Sequence, residues 1–254
     1  MLLVLKLLLA PGLVAAVTLA VRRWGPGIGG WLSGLPVVAG PVLVFYAIEQ
    51  GTTFAAQAAH NTLAGLIGTV AFVVAYARWS VRLRWPGCLL IGWAVFAMTA
   101  YLLYILQPAL VLSLIALFAA TVIGRRVLPH VRPSTVPVVH PRGDLVTRLV
   151  ATATLVLVLT GVAGRLGPAL SGLLNAFPIL TTVITAFTHA QRGAGSTVAF
   201  VNGFLRAIVA FGLFCFALSV TIERLGLAQA LMVALAVQFA ASGVILRTSR
   251  AAGF

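Results

Sequence analysis

One arginine lies deep inside an apolar stretch of the chain. Arg206 occupies the middle of the run 196–220, about 15 Å from the nearer end if the run is helical. An ionised guanidinium at the centre of a bilayer is costly unless it faces a cavity or a partner, so its presence indicates a functional site. Asn202 lies one turn earlier on the same face. We predict that both residues bind an anion; alternatively, Arg206 only bonds freed backbone carbonyls and stabilises the fold.

A second polar group lies in the run 53–77. Gln57, His60 and Asn61 share one helical face, which predicts a polar strip that faces the region where the two halves of the protein meet. We predict that these three residues also bind the anion. Because histidine is the side chain whose charge ordinarily changes near neutral pH, His60 is a candidate carrier of a coupling proton. A buried neutral histidine hydrogen-bonded to a neighbouring helix is an equally good interpretation.

Two prolines interrupt apolar runs at matching places. Pro36 lies three positions after Ser33, and Pro178 lies three positions after Asn175. Proline removes a backbone donor, so we predict kinked or broken helices at both positions. A break exposes a helix N-terminus, whose free N–H groups attract anions, and Ser33 and Asn175 are added to the predicted binding residues. The alternative is a packing kink.

The remaining residue types exclude several functions. The chain has three acidic residues, Glu49, Asp144 and Glu223, too few for a carboxylate-rich metal site or a glycosidase pair. Cys88 and Cys215 lie in apolar runs and are interpreted as buried thiols. The sequence has no nucleotide-binding glycine loop and no protease or hydrolase motif. We therefore predict a protein that is not an enzyme and uses neither a metal nor a cofactor.

The elements that position these residues must be membrane helices. Of 254 residues, 61% are hydrophobic and 8% charged, and the mean hydropathy is +1.13, which excludes a water-soluble domain. The net charge is +14, but the basic residues interrupt the apolar runs, as cytoplasmic loops do, so no nucleic-acid partner is predicted. Stretches of about 20 apolar residues can cross a bilayer as helices. The sequence predicts an all-α membrane protein with nine spans: 3–21, 31–49, 53–77, 88–106, 109–124, 145–163, 169–190, 196–220 and 227–246.

Basic residues set the predicted orientation. With nine spans, thirteen arginines fall on one side and three basic residues on the other, apart from Arg206. Merging the fourth and fifth spans at Gln107-Pro108 would destroy this bias. We predict a bacterial inner-membrane protein with its N-terminus outside and its C-terminus in the cytoplasm.

The chain also repeats itself at an offset of 142 residues. Arg23-x-Gly25-Pro26 matches Arg165-x-Gly167-Pro168, Pro36 matches Pro178, and Gly51 matches Gly193. Because the second copy begins after five spans, the copies enter the membrane from opposite faces. We predict inverted repeats at 1–107 and 143–254, joined by a linker helix and basic loop at 108–142, with a solute site between them.

Part of this repeat resembles a known family. The segment from Ser171 to Thr182, followed by Gln191-Arg192-Gly193, is similar to the signature of the GlpM-like family of small bacterial inner-membrane proteins, and Ser33 to Gly51 is a weaker copy. The resemblance implies two four-span units fused head to tail and a loose link to envelope polysaccharide or glycerol metabolism. It implies no catalytic residues.

The function predicted from these features is a secondary carrier of a small anionic solute. Two alternatives stay open: a flippase for a lipid-linked phosphate, and a non-transporting accessory subunit of envelope biosynthesis. The basic loops at 78–84 and 125–142 are expected to contact anionic lipid headgroups. The predicted repeats make an antiparallel homodimer unnecessary, although another dimer stays open.

Overall fold

A computed structural model describes residues 2–36, 39–131, 143–158 and 177–251, and these residues form helices joined by short turns with no strand among them. The all-α prediction is thus confirmed for this part of the chain. The helices are α1 (Leu2–Trp24), α2 (Pro26–Ser33), α3 (Ala39–Gln50), α4 (Thr52–Trp79), α5 (Trp85–Leu106), α6 (Leu110–Val127), α7 (144–158) and α8 (Ile179–Ala251).

Four of these helices, α4, α5, α6 and α8, are long and apolar enough to cross a membrane. The predicted count of nine helices is not reproduced, because the described residues form eight. The run 31–49 is divided between α2 and α3, whereas three predicted runs at 179–246 join in the single helix α8.

Four glycines break the helical backbone in the same way. Gly25 and Gly51 have φ of 89° and 90° with ψ near 170°, and Gly193 and Gly226 inside α8 have φ of 74° and 76° with ψ of −177° and 172°. Side-chain-bearing residues rarely adopt this backbone conformation. At Gly51 it folds α3 back on α4, as the edge-to-face contact of Tyr46 with Phe54 at 5.2 Å shows. We therefore divide α8 into α8a (179–192), α8b (194–225) and α8c (227–251).

Pro178 lies immediately before α8a, and Pro36 lies three positions before α3. The α2 helix ends at Ser33, and the Pro36 carbonyl accepts a hydrogen bond from the Gly40 N–H at 2.8 Å. In the same way the Pro178 carbonyl accepts from the Thr182 N–H at 2.8 Å. The first N–H groups of a helix have no acceptor within the helix. Because proline has no N–H group to lose, it is tolerated at these positions. Residues 37–38 and 159–176 lie outside the described part of the chain.

The core forms where α4 and α8b pack in opposite directions. A Cβ built on Gly212 would lie 3.3 Å from Leu63, and the Ser219 hydroxyl donates to the Ala56 carbonyl at 3.0 Å. On another side of α8b, α2 approaches so closely that a Cβ on Gly203 would lie 1.9 Å from the Gly27 carbonyl oxygen. Glycine is required at this contact because backbone meets backbone, a common way for membrane helices to associate.

Candidate functional site

Arg206 lies half-buried on α8b, level with Val70 of α4 and the end of α6. Its neighbour Leu205 fixes this level, since a Cβ built on Gly124 would lie 3.7 Å from the Leu205 side chain and 3.8 Å from that of Val70. The positive charge of Arg125, the residue after Gly124, acts electrostatically on Arg206. Two cationic groups therefore influence this part of the bundle.

The side of α8b that carries Arg206 faces away from α2. Residues Phe200, Phe204 and Ala207 contact Gly30 or Gly34. At about 100° per residue, Arg206 lies about 200° around the helix from Phe204, and the half-buried Asn202 shares its side. The predicted pairing of Arg206 with Asn202 on one face is consistent with this geometry. The break between α2 and α3 begins at the level of Arg206, since a Cβ built on Gly34 would lie 2.9 Å from the Phe204 carbonyl oxygen and 3.2 Å from the Ile208 nitrogen.

Ser33 lies at that break, but its hydroxyl is used within its own helix. The Ser33 Oγ donates to the Gly29 carbonyl at 2.9 Å. Pro36 is half-buried in the turn after α2, and Pro178 is buried immediately before α8a. Asn175 lies outside the described residues.

The predicted polar strip lies on the other half of α4. A His60 ring nitrogen lies 3.0 Å from the Pro108 carbonyl oxygen, so His60 anchors the turn between α5 and α6. The Gln57 amide donates to the Asn61 side chain at 3.4 Å. Since Leu63 is level with Gly212, His60 and Arg206 are separated by about 13 Å along the helix axes. The structure does not bring this strip to Arg206.

Threonines line the chain after Pro178, which sequence reasoning missed. Thr181, Thr185 and Thr188 are buried on α8a, and the Thr182 hydroxyl accepts a hydrogen bond from the Trp93 indole at 3.4 Å. The hydroxyls of Thr185 and Thr188 have no hydrogen-bond partner among the described residues. The spacing 181, 185 and 188 places these threonines on one helical face, a signal that was visible in the sequence.

A buried ionic cluster joins α1, α7 and α8a. The Asp144 carboxylate accepts from Arg22 at 2.6 Å, from Arg148 at 3.0 Å and from the Gln191 amide. The side chain of Arg148 also donates to Gln191 at 3.0 Å and lies over the Phe187 ring at 4.5 Å. Burial alone would raise the pKa of Asp144, but the hydrogen bonds from Gln191, Arg148 and Arg22 outweigh it and lower the pKa. Sequence reasoning missed this cluster.

A second missed group lies on α8c. Gln238 and Ser242 are only 3% and 6% exposed, and they follow Ala230 and Ala234 at four-residue intervals. Neither amide atom of Gln238 nor the Ser242 hydroxyl has a hydrogen-bond partner in the described part of the chain. Buried polar atoms usually have partners, so these three atoms require an explanation.

Comparison with known proteins gives no match: no family model, no curated protein and no solved structure is similar to this chain. The GlpM-like resemblance therefore stays a prediction. Within the described residues, no three histidine, cysteine or acidic side chains converge as metal ligands would.

Proposed function

We propose that the chain is a membrane carrier of a small anionic solute, built from two inverted four-span repeats that α6 joins. One observation carries this proposal: the helix starts at Pro36 and Pro178 have the same capping bond at 2.8 Å, and each precedes a glycine of positive φ, Gly51 or Gly193, at the same distance along the chain. Repeated helix breaks of this kind are typical of carriers with a solute site at the midplane.

The packing of α4 against α8b supports an inverted relation between the repeats. These helices correspond at the offset of 142 residues and run in opposite directions. The contacts of Leu63 with Gly212 and of Ala56 with Ser219 place Ile67 and Ile208 at about the same level. A two-fold axis at that level would pass about 3 Å from Arg206 along α8b, near the bilayer centre.

The cluster around Asp144 supplies a structural basis for alternating access. Arg22 belongs to the first repeat, whereas Asp144, Arg148 and Gln191 belong to the second. In the proposed orientation, with the N-terminus outside, these residues lie at the cytoplasmic end. The cluster thus closes the cytoplasmic side in this conformation, and it separates when the repeats rock to the inward-open state.

A second function is favoured by the position of Arg206. Its half-buried side chain lies on the side of α8b away from α2, and Arg125 is close. Two arginines at a partly open helix surface suit the phosphate of a lipid headgroup. Movement of a lipid-linked phosphate is therefore the alternative to carriage of a free anion.

Reconstitution into liposomes tests both functions. For the carrier, the parent should accumulate radiolabelled lactate, succinate or phosphate faster than empty liposomes, and Arg206→Ala should lose most of this flux. For the alternative, the parent should speed the exchange of a fluorescent phosphatidic acid between leaflets, with the same dependence on Arg206. Failure of both assays with correctly oriented protein would leave the accessory-subunit interpretation.

A further inference from the structure

The buried side of α8c carries polar groups that the protein does not satisfy. Gln238 and Ser242 are one helical turn apart, and their amide and hydroxyl have no hydrogen-bond partner among the described residues. A buried amide or hydroxyl without a hydrogen-bond partner destabilises the folded protein. Two such side chains, one turn apart on a buried helix face, indicate that something outside the chain bonds to them.

The corresponding helices of the first repeat show what lies opposite this surface. There, Gly92 packs against the Phe72 ring, and Gly68 packs against the Phe96 ring. At the offset of 142 residues, the corresponding pairs are Ala234 with Phe214 and Gln238 with Ala210. This correspondence rests on the repeat in the proposed function. The same offset aligns the backbone break at Gly226 with Arg84, the residue before α5.

Arg206 completes the group. It lies one turn from Ala210 on α8b, as Ser242 lies one turn from Gln238 on α8c. With Gln238 opposite Ala210, as the repeat requires, the three polar side chains would lie within about a turn of one another. The acidic residues of the chain lie elsewhere: Glu49 and Glu223 are exposed near the ends of α3 and α8b, and Asp144 belongs to the buried ionic cluster.

We propose that Arg206, Gln238 and Ser242 form a binding site between α8b and α8c for an oxyanion that also carries a hydroxyl group. The guanidinium, the amide N–H groups and the serine hydroxyl donate to the charged oxygens. The Gln238 carbonyl oxygen is an acceptor and suits the hydroxyl. Hydroxy acids, hydrogen phosphate and phosphate monoesters of lipids share this chemistry.

Thermal unfolding of the full chain in detergent tests the site. The probes are sodium lactate, sodium propionate, sodium phosphate and dioctanoyl phosphatidic acid, compared with sodium chloride at equal ionic strength. Lactate and propionate differ by one hydroxyl, so the parent should be stabilised more by lactate. At about 100 times its Kd, a bound probe should raise the Tm by about 5–10 °C. If only phosphatidic acid raises the Tm, the ligand is a lipid headgroup. If lactate or phosphate raises the Tm, the ligand is a free solute.

Two variants and a matched control connect the effect to these residues. Gln238→Met should raise the Tm without a probe, because an unsatisfied amide is removed, and should lose the probe-dependent shift. Ser242→Ala should weaken that shift. Gln229→Met makes the same change at an exposed position of α8c and should behave as the parent does.

Two results would overturn the site: no probe stabilises the parent beyond chloride, or both variants keep the full shift. The liposome assays separate this proposal from the proposed function. Probe binding that depends on Gln238, in a protein that gives no flux, would support the site and contradict the carrier. Flux that is unchanged in Gln238→Met would support the carrier and contradict the site.

Discussion

A single carboxylate holds three helices together at one end of the bundle. Asp144 is 5% exposed and accepts hydrogen bonds from Arg22, Arg148 and Gln191, and Arg148 itself is 4% exposed. Asp144→Asn leaves the buried guanidinium of Arg148 without a counter-charge, so we expect a loss of about 3–5 kcal/mol of stability. Thermal melts in detergent measure it. Glu49→Gln removes an exposed carboxylate and is the control; an equal effect of both changes would contradict this role.

The same carboxylate predicts a pH dependence. The pKa of Asp144 is lowered in the folded protein, so its stabilising effect is complete above the pKa of an unfolded aspartate, about 3.9, and is lost as the pH falls toward the folded value. Between about pH 5 and pH 3, the Tm of the parent should therefore fall more steeply than that of Asp144→Asn. Parallel curves for the two proteins would show that other groups control acid unfolding.

At the scale of helices, two glycines between helices are expected to be irreplaceable because of their backbone conformation alone. Gly51 and Gly193 have open space where a Cβ would lie, yet their φ values are 90° and 74°. Gly51→Ala and Gly193→Ala should each cost about 1–3 kcal/mol. Gly12→Ala is the matched control, since Gly12 also has open space but lies within α1, where alanine is favoured by up to about 1 kcal/mol. Thermal melts of the three variants distinguish these outcomes.

The contact of α2 with α8b should be sensitive to substitution because it has no space for a side chain. A Cβ on Gly30 would lie 1.8 Å from the Phe200 carbonyl oxygen, so Gly30→Ala must separate the two helices. We expect at least 1–3 kcal/mol of destabilisation and poor yield of monodisperse protein. Gly243→Ala in α8c meets nothing within 4 Å and should be tolerated. Size-exclusion profiles and melts that are alike for both variants would argue against this close approach.

The sequence predicted the helical class and the interruption at Pro36, because hydropathy and the missing proline donor are local properties. The interruption predicted at Pro178 stays a prediction, since residues 159–176 lie outside the described part of the chain. The grouping of His60 with Arg206 could not be judged in this way, since it depends on how far α4 and α8b slide and rotate relative to each other. The Asp144 cluster joins Arg22 to a residue 122 positions away. Gln238 gave no sequence signal, because its burial becomes evident only once α8c has packed.

At the scale of the whole molecule, the position of the chain in the membrane decides between the proposed arrangement and any other. In the proposed arrangement of nine spans with the N-terminus outside, Gln107, in the turn between α5 and α6, lies on the outer side, and His130, beyond α6, lies in the cytoplasm. Both residues are exposed, so single cysteines there should react freely with a maleimide. The native Cys88 and Cys215 are buried and are replaced by alanine as a precaution.

Intact cells treated with a membrane-impermeant maleimide should label Gln107→Cys and not His130→Cys, and permeabilised cells should label both. The physical reason is that α6 is long and apolar enough to cross the bilayer between them. An odd number of spans requires this helix, since without it the basic residues at 125–142 would move to the outer side. Labelling of both cysteines in intact cells would place α6 outside the membrane and remove the basis for inverted repeats. Labelling of His130→Cys alone would show the opposite orientation, and the Asp144 cluster would then lie at the outer side of the proposed carrier.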